Sequence, residues 1–274
     1  MATVASALRD AVARLPGDEA RAEAERLLGH ALDRPRSWLY AHATDAIDDA
    51  AAARLDAFVA RRAAGEPVAQ ITGRRGFWSL ELEVTRDTLV PRPETETLVE
   101  LALARLPDAP ARVLDLGTGT GAIALALAAE RPDLDLTAVD ASAAALAVAA
   151  RNVAACAARV RLLHGTWFAP VAGERFAMVV SNPPYLADDD PHLREGDLRF
   201  EPGLALSCGP EGLEAIRAIV AAAPAHLLPG GWLLVEHGWT QGDAVRALFA
   251  SAGFVEVAAL EIRRGRDRVT LGRR

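Results

Sequence analysis

The chain has no lysine. All 30 of its basic residues are arginine, set against 37 acidic ones, for a formal charge of −7 over 274 residues. A protein whose main grip is on phosphates needs a basic footprint, so direct nucleic-acid binding is not expected. There are only two cysteines, Cys156 and Cys208, and no CxxC pair, which argues against a disulfide framework and against a cysteine zinc site. The six histidines are scattered with no HExxH pair, so metal chemistry is not expected. No apolar run approaches the roughly 18 residues of a membrane span. The opening "MATVASALRDAVARL" carries charges at helical spacing where a signal peptide would be continuously apolar. These absences lead to the expectation of a cytoplasmic protein without membrane partners.

The residues that are present are 51% hydrophobic, enough for a sizeable core. The first sixty or so residues read as helices. "DEARAEAERLLGHAL" (18–32) opens with acids suited to a helix N-terminus, and "DDAAAARLDAFVARRAAG" (48–65) runs from acidic to basic and stops at Gly65, two residues before Pro67. "PRSWLYAH" between them is a short segment with two aromatics. Strand-like alternation first occurs in "GFWSLELEV" (76–84), where Leu80, Leu82 and Val84 alternate with polar residues. From about Thr97, apolar strands alternate with helices of ten or more residues, beginning "ARVLDLG", "GAIALALAAER", "LDLTAVD". That pattern predicts an α/β domain with a mainly parallel sheet. The segment from Leu186 to Pro210 has few periodic residues and reads as a loop over the strand ends.

"VLDLGTGTGAIALAL" (113–127) is a strand, a glycine-rich turn and a helix. Its G-x-G-x-G spacing departs from the G-x-G-x-x-G of dinucleotide binders, and no lysine follows, which excludes a P-loop. The next strand ends in Asp140, at the distance where an acid reads a ribose in dinucleotide-binding folds. The other reading of Asp140 is an N-cap for the helix beginning near Ser142. Asp115 and Asp140 suit a ligand that carries a cation and no phosphate, such as S-adenosylmethionine. Trp167 either walls its adenine or is a core aromatic.

"FAMVVSNPPYLADDD" (176–190) leaves a buried-looking strand for an amide, two prolines and a phenol. Two prolines fix two φ angles and remove two N–H donors, leaving a stiff corner outside the carboxyl end of a strand, where ligands of doubly wound sheets sit. A planar NH₂ group fits such a corner. The Asn182 side-chain oxygen and the Pro183 carbonyl can each accept one of its hydrogens, and the Tyr185 ring can cover its face. Two acceptors push electron density back onto a delocalised nitrogen and aim its lone pair, with no strong base required; Tyr185 can also favour a sulfonium through its π face.

"DLGTGTG", "AVD" and "SNPPY" together resemble a class I S-adenosylmethionine-dependent methyltransferase acting on a planar nitrogen. "LVPRPETETLVE", "DPHLREGDLRFEP", "LLVEHGWTQGDAVR" and "DRVTLGR" narrow the likeness to the HemK/PrmC family of release factor glutamine methyltransferases, over essentially the whole chain. The resemblance implies a helical release-factor-docking domain over 1–73, a β-hairpin linker over 74–90 and a Rossmann-like methyltransferase domain over 91–274 with a mostly parallel seven-stranded sheet. It further implies N5-methylation of the glutamine in the Gly-Gly-Gln tip of class I peptide-chain release factors, with S-adenosylhomocysteine as product, by an enzyme expected to be monomeric. Gly117, Thr118, Gly119, Thr120, Gly121 and Asp140 would hold the cofactor and Trp167 would flank it. Asn182 would touch cofactor and substrate, and Pro183, Pro184 and Tyr185 would frame the glutamine, with Asn182, Pro183 and Tyr185 as the catalytic set.

Two rivals share the Asn-Pro-Pro-Tyr corner: an enzyme for a ribosomal-protein glutamine, and an amino-methyltransferase of DNA or RNA, which would have to flip its base. "PRPETE" (91–96) favours the release-factor branch. Arg92 and Glu94 within it either position the cofactor or begin a helix. Glu236 and His237 at a strand end either line the crevice or, the preferred reading, form a satisfied structural pair.

Overall fold

The computed structural model describes residues 2–262 and 266–274. They form two compact units, 1–74 and 75–274.

The first unit is helical: α1 (Val4–Arg14), α2 (Ala20–Leu32), α3 (Arg36–Ala41), α4 (Asp49–Ala63) and α5 (Val68–Thr72). The aromatic segment between the two long helices is thus itself a short helix. Thr3 and Ser6 make a reciprocal capping box at the start of α1, and Asp48 caps α4 through the Ala51 N–H. The apolar faces of these helices meet around Leu27, Leu28 and Val59, all fully buried. Each such side chain contributes about 1.5–3 kcal/mol of burial.

The second unit opens within a hairpin, β1 (Arg74–Phe77) and β2 (Leu80–Glu83), whose first residue closes the first unit. The stretch 76–84 that alternates like one strand is broken by a turn, where Trp78 takes φ of +57°. The hairpin packs into this unit: Phe77 and Leu82 share a core cluster with Leu98 and Leu125. Asn152 anchors it, accepting from the Glu83 N–H (2.7 Å) while its amide donates to the Glu83 carbonyl (3.1 Å) and to that of Thr120 (2.9 Å) in the glycine-rich turn.

After α6 (Thr95–Leu103) come β3 (Arg112–Leu116), α7 (Ala122–Glu130), β4 (Asp135–Asp140), α8 (Ala143–Ala155), β5 (Val160–His164) and β6 (Phe176–Ser181). The chain ends with α9 (Glu214–His226), β7 (Leu227–Glu236), α10 (Gly242–Ser251), β8 (Val255–Ile262) and β9 (Arg266–Arg273). The seven strands lie in the order β5-β4-β3-β6-β7-β9-β8. The first five are mutually parallel and β9 pairs antiparallel with β7 and β8. From β3 the chain winds outward to β4 and β5, then returns to β6 on the other side. The order therefore reverses between β3 and β6, and a doubly wound sheet opens its crevice there, outside the strands' carboxyl ends. Leu116 pairs with Ser181 at that point, so the residues that follow, Gly117 and Asn182, leave the sheet side by side. Ser181 closes the seam by donating its hydroxyl to the Leu116 carbonyl at 2.8 Å.

Candidate active site

A cavity of about 410 Å³ lies at this crevice. Its floor comes from the glycine turn and the end of β4, through Gly117, Gly119, Asp140 and Ala141. Gly117 has φ of +71°, which L side chains rarely adopt. The Gly117 and Thr118 N–H groups both donate to the Val139 carbonyl, at 2.9 and 3.1 Å, folding the turn against β4. Asp140 braces the glycine turn and the approach to α8: one oxygen accepts from the Gly119 N–H and the other from the Ser142 N–H, each at 2.8 Å. The helix cap itself is Ser142, whose hydroxyl accepts from Ala145. Asp140 still faces the cavity, and each carboxylate oxygen retains a second lone pair for a ribose hydroxyl.

Trp167 lines one wall with Gly165 and Thr166. Thr118, Thr120 and Gly121 do not reach the cavity and act from behind it. The Thr118 hydroxyl donates to Asp115 at 2.6 Å, and Gly121 starts α7. Asp115 is fully buried, and its Oδ1 has no partner. Burial pushes its carboxyl up to about 7, against the opposing pull of the Thr118 hydroxyl and the Ala124 N–H. A cavity-facing acid on a glycine turn, opposite an indole wall, fits a cationic nucleoside. The residues present are therefore those that S-adenosylmethionine would need.

Asn182 and Pro184 form the far side of the cavity. Pro183 is buried and Tyr185 is half-buried against the β6–β7 side of the core; neither lines the cavity itself. No peptide among the described residues is cis, so both proline bonds of the corner are trans. The corner is held from outside. Gln241 donates to the Tyr185 carbonyl at 3.0 Å, and the Cys208 thiol donates to the Pro184 carbonyl at 3.0 Å. The Asn182 amide nitrogen donates to the Thr95 hydroxyl at 3.0 Å, so the amide offers a ligand its oxygen. Burial, with the negative charge of Glu236 nearby, pushes the Tyr185 phenol well above its ordinary range. Tyr185 therefore remains a neutral ring with no role as a base.

The segment 186–210 closes over the cavity in three short 3₁₀ turns. It is tied back by Leu186, whose N–H donates to Leu206 and whose carbonyl accepts from Cys208. Pro202, Leu204, Ala205 and Ser207 form its inner face. Leu204 stays 66% exposed at the rim. A buried carboxylate clamps this lid to the stretch before α6: Glu201 accepts from the Val90 N–H at 2.9 Å and pairs with Arg92. Burial raises the Glu201 carboxyl and the Arg92 charge opposes that rise. Arg92 and Glu94 do not line the cavity; Arg92 acts on the lid, and Glu94 sits at the entry to α6.

The sequence reading of Glu236 and His237 as a satisfied pair is corrected. His237 bonds the Gly238 carbonyl and the Thr270 hydroxyl, both at 2.9 Å. Glu236 instead lies fully buried beneath the corner, with Oε2 lacking any partner. Thr95, Glu201 and Glu236 were not singled out by sequence reasoning as a site. Only the neighbourhoods "PRPETET" and "VEHG" could have drawn attention to two of them.

The strand order, the crevice at its reversal and the glycine turn with its strand-end acid define a Rossmann-like methyltransferase domain. Residues 95–195 match the methyltransferase small domain and residues 6–73 the PrmC N-terminal domain. A methyltransferase from Pyrococcus furiosus shares the fold, with a TM-score of 0.56 at 19% identity over 78% of this chain and 96% of that one. Two curated relatives bear the name release factor glutamine methyltransferase. The protein from Xylella fastidiosa (strain Temecula1) is 55% identical over 92% of this chain and 93% of its own length. That from Pseudomonas aeruginosa is 51% identical over 99% of both. The chain belongs to the release factor glutamine methyltransferase family. Among the described residues no helix is long and apolar enough to cross a membrane.

Proposed function

We propose that this enzyme methylates the side-chain amide nitrogen, N5, of the glutamine in the Gly-Gly-Gln tip of class I release factors, using S-adenosylmethionine. One observation carries the reading: the Asn182 oxygen, held at the crevice by a bond from its own nitrogen to Thr95, adjoins a cavity built for a cationic nucleoside. Asp140 would accept from the ribose and Trp167 would wall the adenine.

Asn182 Oδ1 and the Pro183 carbonyl accept the two hydrogens of the substrate amide, and the buried corner keeps them fixed while charge develops. Pro184 and Tyr185 frame the glutamine. When bound, S-adenosylmethionine would supply an electrophilic methyl to the nitrogen whose lone pair Asn182 and Pro183 aim, and the amide proton displaced by methylation would be released as the site reopens. The lid of residues 186–210 excludes water, which strengthens each of these dipoles. The helical unit over 1–73 docks the release factor. The acidic total charge disfavours a nucleic-acid substrate.

The test offers labelled cofactor to the enzyme with purified release factor, its tip Gln→Ala variant, a ribosomal protein and DNA. Label on the intact release factor alone is the expected result. Undiminished label on the Gln→Ala variant, or label on nucleic acid, would overturn the assignment.

A further inference from the structure

The corner does not orient itself. An asparagine side chain can present either its oxygen or its NH₂ to a ligand, and the two ends have almost the same shape. Only the oxygen can hold a substrate amide hydrogen, so something behind Asn182 must choose.

Thr95 opens α6 and is buried, and its Oγ1 receives the Asn182 amide hydrogen. A hydroxyl that accepts there has its own hydrogen left to give, and the buried Glu236 carboxylate at the end of β7 is its acidic neighbour. Glu236 is 1% exposed, and its Oε2 is unpartnered. We infer that Thr95 and Glu236 are positioning residues: the Glu236 carboxylate draws the Thr95 hydrogen toward itself, which obliges Thr95 to accept from Asn182 and turns the Asn182 oxygen toward the incoming nitrogen. This rests on the proposed role of Asn182 as substrate acceptor.

The relay has a polarity that a proton can reverse. A protonated Glu236 donates to Thr95, Thr95 then donates to Asn182, and the amide turns its NH₂ toward the substrate. Burial pushes the Glu236 carboxyl up to about 7. Around it stand Thr95 at the start of α6, Arg92 and Glu94 just before it, Arg268 on β9, and the Tyr185 phenol of the corner. Thr95 and the two arginines favour the charged form, while Glu94 opposes it. The competent form is the charged one, so turnover falls as pH drops through this region.

Three variants of the full chain, assayed with release factor at saturating cofactor, test the relay. Thr95→Val keeps the shape and removes the hydroxyl; kcat at pH 8 should fall by about 10- to 100-fold with the cofactor dissociation constant unchanged. Thr95→Ser should restore kcat to within about threefold, since it keeps the donor and acceptor. Glu236→Gln cannot take up or release a proton at this position, so, whatever its turnover at pH 8, it should lose the acid limb. A readout independent of turnover is the carboxyl carbon resonance of Glu236, whose titration midpoint should move up in Thr95→Val because a donor to the charged form is gone. Wild-type kcat in Thr95→Val, an intact acid limb in Glu236→Gln, or an unmoved midpoint would each sink the relay. If the wild-type enzyme fails to label release factor, the proposed function falls, and the midpoint still decides whether the hydrogen-bond chain exists.

Discussion

Each unit of the molecule buries an acid, and the two are treated in opposite ways. Glu25, inside the helical unit, has both oxygens engaged: Tyr40 donates to it at 2.7 Å, Arg36 at 2.6 Å and Arg21 at 3.1 Å. Burial works against its charge, yet the Tyr40 and Arg36 bonds outweigh that and hold the carboxyl below its ordinary range. Glu236, under the corner, has one oxygen empty and burial raises it to about 7. Asp115 repeats the pattern beneath the glycine turn. A satisfied buried acid fastens helices together. An unsatisfied one is a local cost that persists where a ligand or a bond relay makes use of it.

The sharpest way to break that contrast is at the corner. Asn182→Ala should lower kcat by about 100-fold or more while cofactor binding, measured by calorimetry, persists; near-wild-type turnover would remove the corner from the chemistry. Gly212→Ala is the next largest. Gly212 has φ of +65°, and a Cβ there would lie 2.4 Å from the Tyr185 carbonyl oxygen. The corner must shift to admit it, and we expect kcat to drop by about tenfold, the order that a misplaced catalytic dipole loses. On the other side, Glu25→Ala should destabilise the protein by about 1–2 kcal/mol through its lost hydrogen bonds, read in thermal melts, and leave turnover per folded molecule unchanged.

The smallest effect is a slope, and its sign separates the two acids. The folded-state pKa of Glu236 lies above the unfolded value of 4.5, so its stabilising proton is fully present below 4.5 and lost as pH rises through about 7. Glu236→Gln should therefore gain melting temperature relative to wild type as pH is raised from 4.5 to 8. Glu25, held below its ordinary value, contributes in the opposite sense: its stabilisation is present above the unfolded value and is lost as pH falls through the folded one. The melting-temperature deficit of Glu25→Ala should accordingly shrink on acidification. Parallel slopes for the two variants would erase the distinction between a structural acid and a site acid.

Much of this was legible in the residues. The α/β alternation, the glycine turn, Asp140 and the proline corner are local signals, each carried within one strand–turn–helix segment. The class of fold and the two halves of the crevice follow from them, because strand order and ligand position obey general rules. Two segments show where that reach ends. The stretch 76–84 shows only strand-like alternation; the hairpin that β1 and β2 form there is an expectation of the family resemblance and not of periodicity, and its turn at Trp78 is fixed by packing Phe77 and Leu82 into the core. Glu236 next to His237 suggests a pair, but β7 ends at Glu236, and His237, just beyond it, turns to Gly238 and Thr270 instead.

What the linear chain determined by itself, then, was a set of short-range conformations: stiff φ at the prolines, permissive φ at the glycines and the periodicity that selects strand or helix. What only the tertiary structure decided was the assignment of partners across large separations, such as Asn182 to Thr95, Arg92 to Glu201 and Tyr40 to Glu25. The physical reason is that a backbone preference acts within a few residues, whereas a hydrogen bond requires two groups to arrive within about 3 Å of each other. That arrival depends on how the whole sheet and its helices close.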